Sequence, residues 1–164
     1  MWIEFELLPE DARIWIFTIQ GELDDRSRAF LTNELKAFIQ DWTSHQFSLK
    51  ASAKISEDRF IILGLDQQQA GASGCSIDKL MRFIQKLELD TGLSLLLKNK
   101  IAVKREKGIE LFHVHDIKQC IADGTFGTDD KYFDTMVDSK YALESNWLKS
   151  LSEGWLGKKL NTIV

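Results

Sequence analysis

Residues 13–19, Arg-Ile-Trp-Ile-Phe-Thr-Ile, carry apolar side chains on both faces of an extended chain. Ile14 and Ile16 point one way; Trp15, Phe17 and Ile19 point the other. A strand with that pattern is covered twice and belongs in the middle of a sheet. After Gly21 the spacing turns helical. Phe30, Leu31, Leu35, Phe38, Ile39 and Trp42 form one stripe, and Asp24 or Asp25 stands where a cap is needed. Residues 47–56 then alternate without a break. Phe47, Leu49, Ala51, Ala53 and Ile55 face one way; Ser48, Lys50, Ser52, Lys54 and Ser56 face the other. This predicts a half-buried strand whose lysines suit a sheet edge. Glu57-Asp58 reads as a turn, and residues 59–66 as a second strand that is apolar on both faces. A second helical stripe runs through Ile77, Leu80, Met81, Ile84 and Leu87 and ends near Gly92. Residues 100–106 and 109–115, joined by Lys107-Gly108, read as a hairpin.

The resulting order, βαββαββ, is α+β. Its first four strands and two helices match the ferredoxin-like split βαβ core, in which strands one and three are central. Helices normally cover one face of that sheet, so the second face needs another cover. The rest of the chain is the natural source. It offers a short helix with Ile117, Cys120 and Ile121 inward and an irregular stretch with Tyr132, Phe133, Met136 and Val137. A helix over 139–160 follows, carrying Tyr141, Leu143, Trp147, Leu148, Leu151, Trp155 and Leu156. The expectation is a single domain, 1–164, with a sheet core at 1–115 and a mostly helical C-terminal extension, 116–164, packed on it.

Composition narrows the classes. The apolar fraction of 44% and charged fraction of 28% are those of a folded globular chain. A net charge of −4 argues against nucleic acid as a partner. Cys75 and Cys120 are the only cysteines, which suits a reducing cytoplasm better than a disulfide framework. The N-terminal stretch has acids where a signal peptide has a basic region, and no apolar run approaches the length of a membrane span.

The most specific stretch is Gln-Gln-Gln-Ala-Gly-Ala-Ser-Gly-Cys-Ser-Ile-Asp, residues 67–78, where a strand ending at Asp66 enters a helix. Gly71 and Gly74 do not have the spacing of a phosphate loop, and no lysine precedes a Ser or Thr there; Lys79 falls inside the helix. A simpler anion site remains open: Ser73, Ser76 and the free amides of a helix N-terminus can hold phosphate or carboxylate. The alternative is that Ser76 caps its own helix and the small residues ease the crossover. Cys75 lies where a helix dipole stabilises a thiolate, while Asp78 opposes that; His45, His113 and His115 are the histidines that would serve as a base. His113 and His115, with Asp116 and Cys120 nearby, make a thin metal-ligand set lacking a C-x-x-C or H-E-x-x-H partner motif. The ordinary reading there is a strand end with Asp116 capping the next helix. Trp147 and Trp155 nearly share a helical face, either covering the sheet or exposing a partner-binding ridge.

Several stretches together resemble one uncharacterised small bacterial protein family of about this length. They are LPEDARIWIF, FIQDWTSH with its tryptophan, LKASAKISEDRFIILGLD, SGCSID at Ser73–Asp78, and the late SEGWL. Members of that family are often labelled "ABC transporter ATPase". The resemblance implies no established activity and no catalytic residue. An ATPase of that kind needs the phosphate loop already excluded and an L-S-G-G-Q signature, which is not in this chain.

Two functional readings follow. The first is a small cytoplasmic interaction or ligand-binding domain without catalysis and without a cofactor. Its small anionic ligand sits at the 71–78 turn, with Asp66, Gly71, Ser73, Gly74, Cys75, Ser76 and Asp78 as the site. The second is a thiol-dependent enzyme or redox sensor using Cys75. A homodimer through the edge strand 47–56 or the aromatic tail is compatible with either.

Overall fold

Arg13–Thr18 forms β1. It lies antiparallel to a later strand, with Phe17 opposite Ile61 and Trp15 opposite Leu63. From β1 the chain enters α1 (Asp25–Asp41), where Asp24 caps the helix by accepting the Ser27 amide at 2.7 Å. A small hairpin follows, β2 (Thr43–Ser44) and β3 (Phe47–Ser48), then β4 (Ala51–Ser56) and β5 (Phe60–Leu65). α2 (Gly74–Thr91) comes next. The computed structural model describes residues 1–68 and 70–161.

The first sheet has the order β1-β5-β4, antiparallel throughout. β5 is central and every one of its residues is buried, as a strand apolar on both faces requires. On the first face, Leu31, Leu35 and Ile39 of α1 and Leu80, Ile84 and Leu87 of α2 pack with Phe17, Ile19, Ile61, Leu63 and Leu65. Each such side chain withdrawn from water contributes about 1.5–3 kcal/mol, which fixes both helices to the sheet.

The second face is covered by a segment whose pattern predicts neither strand nor helix. Phe5, in a short 3-10 turn (Phe5–Leu7), and Leu8 pack over Gly64. A Cβ on Gly64 would lie 2.5 Å from Leu8 Cδ1 and 3.1 Å from Ile14 Cδ1, so a larger residue there would make the Leu8 side chain shift. Met136–Ser145 joins this cover. Its Asp138 carbonyl accepts the Ile14 amide, its Lys140 amide reaches the Ala12 carbonyl, and its Tyr141 amide reaches the Glu10 carbonyl. The buried Lys140 ammonium donates to the carbonyls of Glu6 (2.9 Å) and Leu8 (2.7 Å), closing the turn.

Four expectations about the first sheet need correction. β1 lies at an end of the sheet rather than in its middle, so β5 alone is central. Residues 47–56 are not one strand. Phe47 and Ser48 pair back on Ser44 and Thr43 across His45-Gln46, both with positive φ, and Phe47 is exposed rather than inward. The outer edge of β4 is not bare, because Trp2 bridges Ala51 there. Residues 100–105 do not become a fourth strand beside β1; among the described residues that edge carries only single bridges, Gln20 with Ser94 and Arg13 with Ser139.

The chain instead builds a second sheet. β6 (Lys100–Arg105) and β7 (Gly108–His113) form the predicted hairpin. α3 (Ile117–Ala122) follows, then β8 (Lys131–Phe133), α4 (Lys140–Asn146), β9 (Leu148–Ser150) and α5 (Gly154–Asn161). The order is β7-β6-β8-β9. Ile101, Val103, Val114, Ile117, Phe126, Tyr132, Leu151 and Leu156 are its buried cluster. The two compact units are therefore Met1–Leu97 with Met136–Ser145, and Lys98–Thr135 with Asn146–Val164. They do not follow the expected division after residue 115. The extension is not mostly helical: β8 and β9 interrupt it, and Trp147 sits in the bend between α4 and β9 while Trp155 lies in α5, so the two do not share one helix. Among the described residues no helix is long and apolar enough to cross a membrane.

Candidate functional site

The elbow between β5 and α2 is built in two layers. The inner layer is Ser76, which is buried. Its hydroxyl donates to the Ser73 carbonyl at 2.8 Å, and its carbonyl accepts the Trp42 indole N–H at 2.9 Å. Ser73 is the cap: its Oγ accepts the Ser76 amide at 3.2 Å. The cap sits three residues before the position that sequence alone assigns to it. Trp42 and the Ser73–Asp78 stretch, distant in the chain, thus meet in one buried joint.

The outer layer is open. Gly71, Gly74, Cys75 and Asp78 are exposed. The amides of Gly74 and Cys75 are the first two of the helix and take no acceptor among the described residues. No acidic residue stands in the first turn of α2, whereas α1 has Asp25 in its first turn beside its Asp24 cap. The positive end of the α2 dipole therefore meets solvent with no carboxylate in that turn. The two glycines are not there for space: Gly74 has open room around its Cβ position, and Gly71 meets nothing closer than 3.9 Å.

Asp66 is buried and turns away from this role. Its amide donates to the Lys50 carbonyl, and its Oδ1 accepts the Gln68 amide at 2.9 Å. It holds the chain leaving β5 rather than lining an open surface. Of the expected site residues, Gly71, Gly74, Cys75 and Asp78 are accessible, Ser73 is half-buried, and Ser76 and Asp66 are structural.

The histidines do not assemble into a centre. His45 occupies the tip of the β2–β3 hairpin. His113 closes β7, while His115 lies in a 3-10 turn, so the two do not share a strand face as expected. Their rings lie against each other at 5.2 Å, and His115 Nε2 is 3.0 Å from Asp116. Asp116 stands at the head of α3 but makes no side-chain cap. Among the described residues, no group of three or more His, Cys, Asp or Glu is placed to hold a metal ion. Cys120 is half-buried; burial first, then Asp123 and Asp116, pushes its thiol pKa above the ordinary value.

Two features of the second unit carry no clear mark in the sequence. One is a buried polar knot. Lys149 Nζ meets Asp134 Oδ2 at 2.5 Å, and the Trp155 indole donates to Asp134 Oδ1 at 3.1 Å. The Tyr132 hydroxyl donates to the Glu153 carbonyl, and burial followed by Asp134 raises its pKa. Gly154 turns the chain at φ +64°, and a Cβ there would lie 2.8 Å from the Tyr132 oxygen. This is what the SEGWL stretch does: it ties the start of α5 to β8 and β9. The only signal of it in the sequence was that stretch itself. The other feature is a cleft of about 720 Å³ between the β6–β7 turn and the loop 124–131. Arg105 lies over Phe126, donates to the Thr125 carbonyl at 2.9 Å and approaches Asp130 at 3.7 Å. The charges on its walls are of both signs: Lys104, Lys107, Glu106 and Glu110 among them.

Set beside known proteins, the chain matches no protein-family model, no curated protein and no solved structure.

Proposed function

We propose that the chain is a small ligand-binding module without catalysis, and that it takes a phosphate- or carboxylate-bearing ligand at the amide end of α2. The observation that carries this is the pair of solvent-facing amides at Gly74 and Cys75 on a helix with no acid in its first turn. Helix N-termini of that kind attract anions through free N–H groups and the dipole together. Ser73 adds a half-buried hydroxyl beside them.

A thermal-shift series against phosphorylated and carboxylate metabolites tests the reading, with Gly74→Asp as the control. The site has room for that side chain, and its carboxylate would sit where the ligand sits. The expected result is a higher melting temperature for the variant together with loss of the ligand-induced shift. A ligand shift that survives Gly74→Asp, or no shift with any anion, counts against the site.

In the same proposal, the first sheet and its two helices are a ferredoxin-like split βαβ arrangement whose fourth strand is reduced to the Gln20–Ser94 bridge. A cytoplasmic location rests on two unpaired thiols, and the absence of a nucleic-acid partner on a net charge of −4. Membership of the family labelled "ABC transporter ATPase" rests on the shared stretches alone and brings no ATPase chemistry with it.

The thiol reading keeps one observation in its favour: Cys75 is exposed at the second residue of α2. Alkylation by iodoacetamide across pH 6–9 tests it. A reactive centre predicts rapid labelling of Cys75 that stays fast at the acid end; labelling that tracks a free thiol removes this reading.

A further inference from the structure

On the side of the first sheet opposite α1 and α2, the turn Phe5–Leu7 and the segment Met136–Ser145 present a surface that combines apolar side chains with unpaired acids. We propose that this surface docks a basic, amphipathic segment of a partner protein. Leu7, Met136 and Tyr141 are exposed by 73%, 71% and 63%. They belong to two segments that the Lys140 ammonium and the Tyr141–Glu10 backbone hydrogen bond hold side by side. Large apolar groups exposed together on a fixed frame mark contact surfaces more often than accidents.

The charge says what covers them. Glu6 and Asp138 are exposed in these two segments, Glu10 and Asp11 are exposed on the stretch that follows the turn, and none of the four forms an ion pair among the described residues. The cations nearby are already engaged. Lys140 is buried against the carbonyls of Glu6 and Leu8, Lys54 lies 4.1 Å from the Phe5 ring, and Arg13 lies 4.6 Å from the Trp15 ring. An acidic, apolar surface repels nucleic acid and anionic lipid and attracts a segment with lysines or arginines beside leucine-like anchors. It is separate from the elbow, which lies with α2 on the other face, so either proposal can fail alone.

Fluorescence anisotropy of the intact chain with a labelled Leu/Lys amphipathic peptide tests the docking. The expected result is saturable binding that weakens roughly tenfold as salt is raised from low to near physiological strength. Leu7→Ser with Tyr141→Ser should weaken it roughly tenfold. Glu6→Gln with Glu10→Gln should flatten the salt dependence. These side chains are exposed, so thermal melts should stay near the parent's and confirm folding; Leu7→Ser alone gives a milder second variant. The proposal is overturned if the peptide does not bind. It is equally overturned if the Leu7/Tyr141 variant binds as the parent does, or if a Ser/Lys peptide of equal charge binds as well.

Discussion

Two glycines in the two most specific stretches behave oppositely at the residue scale. Gly154 sits at φ +64° with Tyr132 and Lys149 against its missing Cβ. Gly154→Ala should therefore cost about 2–4 kcal/mol, from left-handed strain and from the clash, read as a fall in the denaturant midpoint. Gly74 begins a helix in open space. Gly74→Ala should be neutral or stabilising by up to about 1 kcal/mol, because it narrows the unfolded chain without straining the fold. Equal losses at both positions would mean that the elbow is more constrained than its geometry indicates. Nothing in the letters separates these glycines: each follows a polar residue and opens a helix. What separates them is the contact of Gly154 with Tyr132, more than twenty residues back, and such contacts are invisible to spacing. The same holds for Ser76, whose burial depends on Trp42 from another element.

Elements with long periodic patterns were legible. The stripes of α1 and α2 and the double apolar character of β5 match the burial found, whereas β1 is buried only at Ile14 and Phe17. The turn at Glu57-Asp58 was legible too, and both residues adopt positive φ. Short elements were not. β8 and β9 have three residues each, too few for an alternation to register, and the apolar spacing over 139–160 reads as one helix straight across β9. The cap of α1 was legible as either of two aspartates and proves to be Asp24. Its pKa is lowered, chiefly by accepting the Ser27 amide and then the Ser27 hydroxyl. A carboxylate with a depressed native pKa adds stability above its unfolded value of 3.8, and that stability is lost as pH falls through the native value. Asp24→Ala should melt below the parent at pH 7, with the gap closing as pH falls below 3.8. Thermal melts followed by circular dichroism across that range check it; a gap independent of pH would assign the effect to something other than the ionised cap.

Across the whole molecule, the missed feature is that residues late in the chain complete its first unit. Sequence order suggests that a tail covers the second sheet face, and Met136–Ser145 does join that cover, but the greater part of the 116–164 stretch joins the β6–β7 hairpin in the second unit. The N-terminal turn shares the covering role because Phe5 and Leu8, flanked by acids and a proline, show no period to betray them. Lys140 locks the two segments together. Lys140→Met should cost about 2–3 kcal/mol, since it strips a charged donor from two carbonyls. Chemical denaturation reads that loss, and an unchanged midpoint would deny the clamp. The functional account rests on the amide end of α2 being open to an anion. Titrating inorganic phosphate into the isotopically labelled chain and following the Gly74 and Cys75 amides by NMR tests this most directly. The account predicts saturable shifts centred on those two amides and absent in Gly74→Asp; flat amides at Gly74 and Cys75, or shifts that persist in the variant, would contradict it.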